Sequence, residues 1–274
     1  MPPARLPGPR PRKALGQHFL RDTGILRDIA HAVDCPPGGV VVEVGAGTGQ
    51  LTEVLLDRGL PVIALEIEPR LLAHLERRFG DSESLRLVQA DARTVDVAAV
   101  VPRGTPFAVV GNLPYFAANP IIRHFLEASP RPVSMVVMIQ REVAREIAAP
   151  AGDWSLLTIS VQVYAETRHL FDVAPEAFDP PPAVVSSVIR IDLRPEPLVP
   201  PERNAEFFEL VSKTFRNPRK QIHNSLARGV WLPPGGAREA LELAGIDAMR
   251  RPETLDIAEW LRLLDACAEV RKRA

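Results

Sequence analysis

The sequence predicts a doubly wound α/β domain followed by a small all-helical one. Three observations carry that expectation. Short apolar, β-branched-rich runs alternate with segments of helical period between residues 23 and 148. Residues 41–51, VVEVGAGTGQL, run from an apolar strand through three glycines into an apolar helix. Four successive strand ends carry ligand-type residues, Gly45, Glu66, Asp91 and Asn112, and the carboxyl ends of the strands are where such sheets bind ligands.

In chain order, residues 23–33 set Ile25, Leu26, Ile29, Ala30 and Val33 at helical spacing. Strand 40–44 leads into helix 51–58, which Gly59 ends, and strand 62–66 into helix 70–79, which Gly80 closes. Strand 85–89 runs into Ala90-Asp91. Strand 107–111 ends in Asn112 and is followed by helix 120–128. Strand 133–140 precedes a short helix over 142–148. Residues 155–165 and 184–192 read as two further strands, giving the sheet a mixed far edge. Residues 194–202, RPEPLVPPE, read as a linker. From Asn204 the pattern is helical throughout, with a break at the PPGG of 233–236. The expected division is a catalytic, ligand-binding domain over residues 1–193 and a helical domain over 203–274, without repeats or low-complexity segments.

A chain of 274 residues suits one medium domain and a smaller one. No apolar run approaches the ~20 residues of a membrane span. The start, MPPARLPGPRPRKALGQHFL, is basic and Pro-rich but has no apolar core of a secretory signal. No membrane association is expected. Cys35 and Cys267 fit no metal spacing. They read as free thiols in a reducing compartment, so the expectation is a cytoplasmic protein without a metal. The formal charge is −1, so a nucleic-acid partner must be served by local basic patches. Candidates are Arg10, Arg12 and Lys13; Arg216, Arg219 and Lys220; Arg250 and Arg251; and Arg271, Lys272 and Arg273.

Gly45, Gly47 and Gly49 lack a Cβ, so the turn can be tight and a ligand can approach it closely. Glu66 follows at about the 20-residue separation at which a second strand offers a carboxylate to a ribose. Glu68, two residues on, is expected to matter little. The dinucleotide fingerprint wants Gly or Ala at position 50, which is Gln50. The pattern from Glu43 is instead E-x-G-x-G-x-G, and it resembles the first motif of methyltransferases that use S-adenosylmethionine (SAM). That ligand has no pyrophosphate to place on the helix dipole.

Asn112-Leu113-Pro114-Tyr115 points to the reaction. The lone pair of adenine's exocyclic amine is delocalised into the ring. An enzyme that alkylates it must accept hydrogen bonds from its N–H groups, which favours a pyramidal nitrogen. An Asn side-chain oxygen and a backbone carbonyl can do so. Pro114 stiffens the loop and biases Leu113 to an extended shape, and Tyr115 offers a ring face to an unstacked base. No formal general base is required, because the amine proton becomes acidic once the nitrogen carries a new methyl.

The segments KALGQHFL, EVGAGTGQLT, ALEIEP, QADAR, GNLPYFAANPII, FDPPPAVVSSV and TFRNPRKQIHNSL together resemble the ribosomal RNA adenine dimethyltransferase family, the KsgA/RsmA type. The similarity runs from Lys13 nearly to the C-terminus, in order. It implies a Rossmann-like SAM-dependent methyltransferase sheet with a C-terminal helical domain that contacts RNA. It further implies that His18 and Leu20 lie over the cofactor. Gly45 and Gly47 meet its amino-acid part, Glu66 its ribose, and Asp91 with Ala92 its adenine, while Asn112 bridges cofactor and target. Phe178 is implied as the second aromatic beside the target base, where stacking is worth about 1–3 kcal/mol. Gln140 and Arg141 are candidate RNA contacts, and Arg216, Arg219 and Lys220 are expected on the particle.

The implied activity is dimethylation of N6 of two adjacent adenosines in the 3′-terminal hairpin loop of 16S (small-subunit) rRNA. The implied partner is the assembling 30S particle, met by a monomer. The alternatives are an Erm-type enzyme acting on large-subunit rRNA, and a ribosome-assembly or transcription factor of the same fold. An NAD-dependent oxidoreductase is disfavoured by Gln50.

Overall fold

The computed structural model describes Pro9, Arg12 and residues 17–217 and 219–273. Arg10 and Lys13, two of the basic residues named above, lie outside the described residues. The chain divides into two compact units, residues 1–145 with 166–193 and residues 146–165 with 194–274.

The elements through the first unit are β1 (Phe19–Leu20), α1 (Thr23–Ala32), β2 (Val40–Val44), α2 (Gln50–Asp57), β3 (Val62–Glu66), α3 (Pro69–Phe79), β4 (Leu85–Gln89), α4 (Val97–Val100), β5 (Phe107–Asn112), α5 (Ala118–Glu127), β6 (Ser134–Gln140) and α6 (Arg141–Ile147). After α7 (Leu156–Gln162) come β7 (Ala165–Val173), β8 (Phe178–Asp179) and β9 (Ser186–Leu193). Seven strands form one sheet in the order β4-β3-β2-β5-β6-β9-β7. The strands from β4 to β6 pair in parallel, and β9 is antiparallel to β6. The chain steps outward from β2 to β4, then returns to β5 on the other side of β2. This reversal opens a crevice at the carboxyl ends of β2 and β5.

Local sequence explains the elements. β2, β3, β5 and β6 are almost wholly buried, as strands covered on both faces must be, so they read as unbroken apolar runs. Asp22 caps α1, accepting from the N–H groups of Gly24 (2.8 Å) and Ile25 (3.1 Å). Pro69 opens α3, and Arg77 and Arg78 occupy its last turn, where cations offset the helix dipole.

Glu43 departs from the apolar pattern. It is 1% exposed in the middle of β2, and its Oε2 accepts from Thr52 Oγ1 at 2.6 Å. Burial pushes its carboxyl up to about 7, with the nearby Glu66 charge adding and the Thr52 hydrogen bonds opposing. A carboxyl raised on folding holds its proton more tightly in the native state. Stability therefore falls as pH rises from the unfolded value near 4.5 to about 7, then levels off. Glu43→Gln removes this titration. Its stability relative to wild type should improve through that window by on the order of 3 kcal/mol. Urea unfolding of both proteins at pH 5 and pH 8 measures the difference. An equal difference at the two pH values would mean that Glu43 is not held protonated.

Two sequence expectations are corrected. Residues 155–165 are not a strand. Ser155 and Thr158 form a reciprocal capping box that starts α7, and Thr158, Ile159 and Val161 are buried. A short β-branched apolar run reads equally well either way. The strand lies later, as β7, and ends the sheet order. An edge strand tolerates charge, so Glu166, Arg168 and His169 hide its period. Residues 194–202 are also not a free linker. The N–H of Arg194 donates to Tyr164 O (2.8 Å), that of Leu198 to Val163 O (2.8 Å), and Val199 is fully buried.

The second unit adds α8 (Asn204–Thr214), α9 (Ile222–Gly229), α10 (Gly236–Leu243) and α11 (Ile257–Arg273) to α7. α10 packs on α9 and α11, and α8 on α7, α9 and α11. Phe207, Leu226, Leu241, Trp260 and Leu263 are fully buried among them. Cys267 is buried as well, which pushes its thiol up to about 11 and leaves it unreactive. Among the described residues no helix is long and apolar enough to cross a membrane.

Candidate active site

A cavity of about 280 Å³ opens at the carboxyl ends of β2, β3, β4 and β5. Its floor is the glycine turn after β2. Gly45, Gly47 and Gly49 take φ values of 72°, 60° and 83°, the left-handed region that side chains avoid. A Cβ on Gly47 would stand 3.1 Å from the Phe19 ring, and one on Gly49 2.5 Å from the Phe79 ring.

Glu66, at the end of β3, is 5% exposed and lines the cavity. Its Oε2 accepts from the N–H of Gly47 and its Oε1 from the N–H of Glu68, both at 2.9 Å. Burial raises its carboxyl, and these backbone donors hold it back. A carboxylate has about four acceptor directions. Backbone N–H groups, that of Ile67 among them, take part of this capacity, and what is left can accept from a hydroxyl.

Glu68 is not the bystander its position suggested. Its side chain is 4% exposed, and it accepts from Gln17 Nε2 (2.8 Å) and Arg70 Nε (2.7 Å), with Arg12 Nε at 3.4 Å. Burial alone would raise its carboxyl; these partners together hold it below the usual range. Gln17 lines the cavity, so Glu68 holds it at the rim.

Asp91 and Ala92, after β4, also line the cavity. Arg93 grips Asp91 as a fork, with Nη2 at 2.5 Å from Oδ2 and Nε at 3.0 Å from Oδ1, and lowers its carboxyl. The structure thus brings Asp91 to the site but shares its acceptor capacity with Arg93.

Asn112 closes β5 and lines the cavity. Its Nδ2 donates to the backbone carbonyl of His18 at 2.9 Å. A carbonyl can only accept, so this contact orients the amide and leaves Oδ1 as the uncommitted acceptor. Leu113 is tied to the sheet by its N–H to Met138 O (3.0 Å), and the Pro114 carbonyl is taken by the N–H of Ala117 (2.8 Å). Tyr115 hydrogen-bonds through its hydroxyl to Ser186 Oγ (2.7 Å). One side of its ring meets the His18 imidazole, centroids 6.0 Å apart at 22°. His18 Nδ1 donates to the Pro180 carbonyl at 2.8 Å.

Two expected site residues are not in the cavity wall. Leu20 and Phe178 are 5% and 4% exposed, belong to the hydrophobic core, and face each other in the antiparallel β1–β8 pair. Gln140 and Arg141 do not line it either; Arg141 Nη1 lies 4.0 Å from Asp172 Oδ2. Arg216, Arg219 and Lys220 are exposed in the second unit, whereas Arg250 is held by Glu259 (2.5 Å). Gln17, Phe19, Ile67, Arg93, Phe116 and Ile121 line the cavity and were not singled out from the sequence. Ile67 and Phe116 each directly follow a residue that was. An exposed apolar side chain just past a strand end is the signal that could have found them.

The donor set fits a nucleoside carrying a compact polar tail. It combines a buried carboxylate with acceptor capacity left over, a second carboxylate one strand over, and the exposed apolar face of Ile67, 53% accessible. The glycine turn leaves no Cβ under the ligand. Fold and site together define a Rossmann-like methyltransferase of the SAM-dependent class. Residues 9–269 match the family model described as ribosomal RNA adenine dimethylase; the chain belongs to that family. It is 39% identical over 252 residues to ribosomal RNA small subunit methyltransferase A of Dehalococcoides mccartyi, covering 92% of this chain and 87% of that one. It is 38% identical to the Pseudomonas aeruginosa protein of the same name, covering 95% and 96%. Among solved structures it resembles a dimethyladenosine transferase from Plasmodium falciparum (TM-score 0.77, 25% identity, 93% and 98% covered). It also resembles the 23S rRNA methyltransferase ErmE (TM-score 0.70, 30% identity, 91% and 99% covered).

Proposed function

We propose that this chain uses SAM to methylate N6 of two adjacent adenosines in the 3′-terminal hairpin loop of small-subunit rRNA, each twice, during assembly of the particle in the cytoplasm. The observation that carries the reading is the orientation of Asn112. With Nδ2 committed to the His18 carbonyl, Oδ1 is the acceptor presented to a target amine. Leu113 supplies the second acceptor through its carbonyl, since that of Pro114 is already used. Together they take up both amine N–H groups and favour the pyramidal nitrogen. Tyr115 stacks on the base with the face that His18 leaves open. Glu66 holds the ribose hydroxyls of the cofactor, and Gly45 and Gly47 admit its amino-acid tail. Asp91 and Ala92 flank its adenine. Bound SAM supplies an electrophilic methyl group on a sulfonium.

Small-subunit rRNA is favoured over the large subunit by the higher identity to the proteins named for the former than to ErmE, 38–39% against 30%. The test is to incubate the protein with labelled SAM and with under-methylated small or large subunits, then map the modified nucleotides. Label confined to the large subunit would overturn the assignment.

The helical C-terminal domain is proposed as the part that meets the particle, through Arg216, Arg219 and Lys220. No side chain of this cluster is ion-paired among the described residues, and all three are exposed. Neutralising all three is expected to weaken particle binding and flatten its salt dependence by about 0.7 in log–log slope per lost phosphate contact. SAM affinity should not change. An unchanged salt slope would reduce the cluster to solvated surface.

A further inference from the structure

We propose that Ser186 is a positioning residue for the target base: it holds the Tyr115 hydroxyl and so fixes the ring face on which the base lies. The proposal rests on the adenine-methylating reading above and gives it a residue outside the cavity wall. Ser186 is fully buried, and its Oγ stands 2.7 Å from the Tyr115 hydroxyl. No residue of β9 lines the cavity, so the strand acts on the site through Tyr115.

The sheet explains why a residue so far along the chain arrives there. β9 runs antiparallel to β6, with Ser186 opposite Gln140. Parallel strands bring their last residues to the ligand edge of a sheet, and a reversed neighbour brings its first. The two ends of the Asn112–Tyr115 motif are therefore tied to different strands. Leu113 is fixed to β6 by its N–H to Met138 O (3.0 Å), which holds the acceptor end, and Ser186 on β9 holds the aromatic end. The Tyr115 hydroxyl lies on the axis about which the ring turns, so its hydrogen bond fixes where the ring points. The His18 imidazole, at 22° to the ring, limits its tilt. A base resting on a displaced ring would bring N6 out of line with the methyl group, and misalignment of reacting atoms lowers rate more than affinity. Ser187, the next residue, is equally buried but turns to the other face of the sheet, where its Oγ donates to Asp172 Oδ1 at 2.6 Å.

The test uses the full-length protein, SAM and purified under-methylated small subunits, in single turnover with the particle saturating. Ser186→Ala should lower the rate by about 2- to 12-fold, the equivalent of the 0.5–1.5 kcal/mol that one hydrogen bond contributes net. Particle affinity, which phosphate contacts dominate, and calorimetric SAM affinity should match wild type. Tyr115→Phe keeps the ring and removes the same bond from its other end. It should show a similar loss, and it reads the bond should Ser186→Ala not fold. The double variant should be no slower than the slower single variant, because both remove one interaction. Ser187→Ala should keep the wild-type rate. A wild-type rate in Ser186→Ala or in Tyr115→Phe, or losses that add in the double variant, would overturn the inference. An equal loss in Ser187→Ala, or a fall in SAM affinity that accompanies the fall in rate, would reduce Ser186 to support of the fold and overturn it as well. A wild-type protein that transfers no methyl to any small subunit would instead sink the functional reading on which the inference rests.

Discussion

Asn112→Ala is expected to lower single-turnover methyl transfer to under-methylated small subunits by about 10²–10³, the usual loss when a preorganised transition-state hydrogen-bond partner is removed. Folding and particle binding should survive. The loss also leaves the His18 carbonyl without its donor, a cost of about 1–3 kcal/mol in stability if water does not replace it. Asn112→Asp is the sharper variant. It keeps an acceptor of similar shape, but sets a carboxylate oxygen where Nδ2 now donates to that carbonyl. Two acceptors then face each other, so Asp should fall well short of wild type even though it can still accept from an amine. Near wild-type rates for Asn112→Ala would remove this loop from the chemistry.

Glu66→Ala should weaken SAM binding by two or more orders of magnitude. Two charge-assisted hydrogen bonds to ribose hydroxyls are worth about 1.5–3 kcal/mol each. The same change orphans the N–H groups of Gly47 and Glu68, so the glycine turn loses its support as well. Glu66→Gln is expected to fail too, because its NH₂ must face one of those two backbone donors. Calorimetric titration of SAM reads the effect, and an unchanged affinity for Glu66→Ala would take Glu66 out of the site. Glu68 cannot serve as the inert comparison, since its buried carboxylate holds Gln17 and Arg12. Glu68→Ala should weaken SAM binding indirectly, by freeing Gln17, which lines the cavity. Glu76, exposed on α3, is the better control.

The sequence alone determined the parallel half of the sheet. Strands 40–44, 62–66 and 85–89 are read to the residue; the first two are buried on both faces and so read as nearly unbroken apolar runs, the third is a half-exposed edge strand whose Leu85, Leu87 and Val88 still mark it, and glycine or an acid follows or ends each. It also placed Gly45, Glu66, Asp91 and Asn112 at one edge, since parallel strands put all their carboxyl ends on the same side. Tertiary structure decided what depends on partners far along the chain. The Asn112 amide is oriented by a carbonyl 94 residues away. Leu20 and Phe178 became core because β1 and β8 pair across the fold, which no local period encodes. Glu68 is held in place by Gln17 and Arg12, more than fifty residues earlier in the chain. The helix at 156–162 prevailed over a strand through its capping box and its packing on α8. Periodicity reports the environment of one element at a time. Which two elements meet, and so which polar group finds a partner and which ring stays exposed, is set by contacts between elements and is absent from any local pattern.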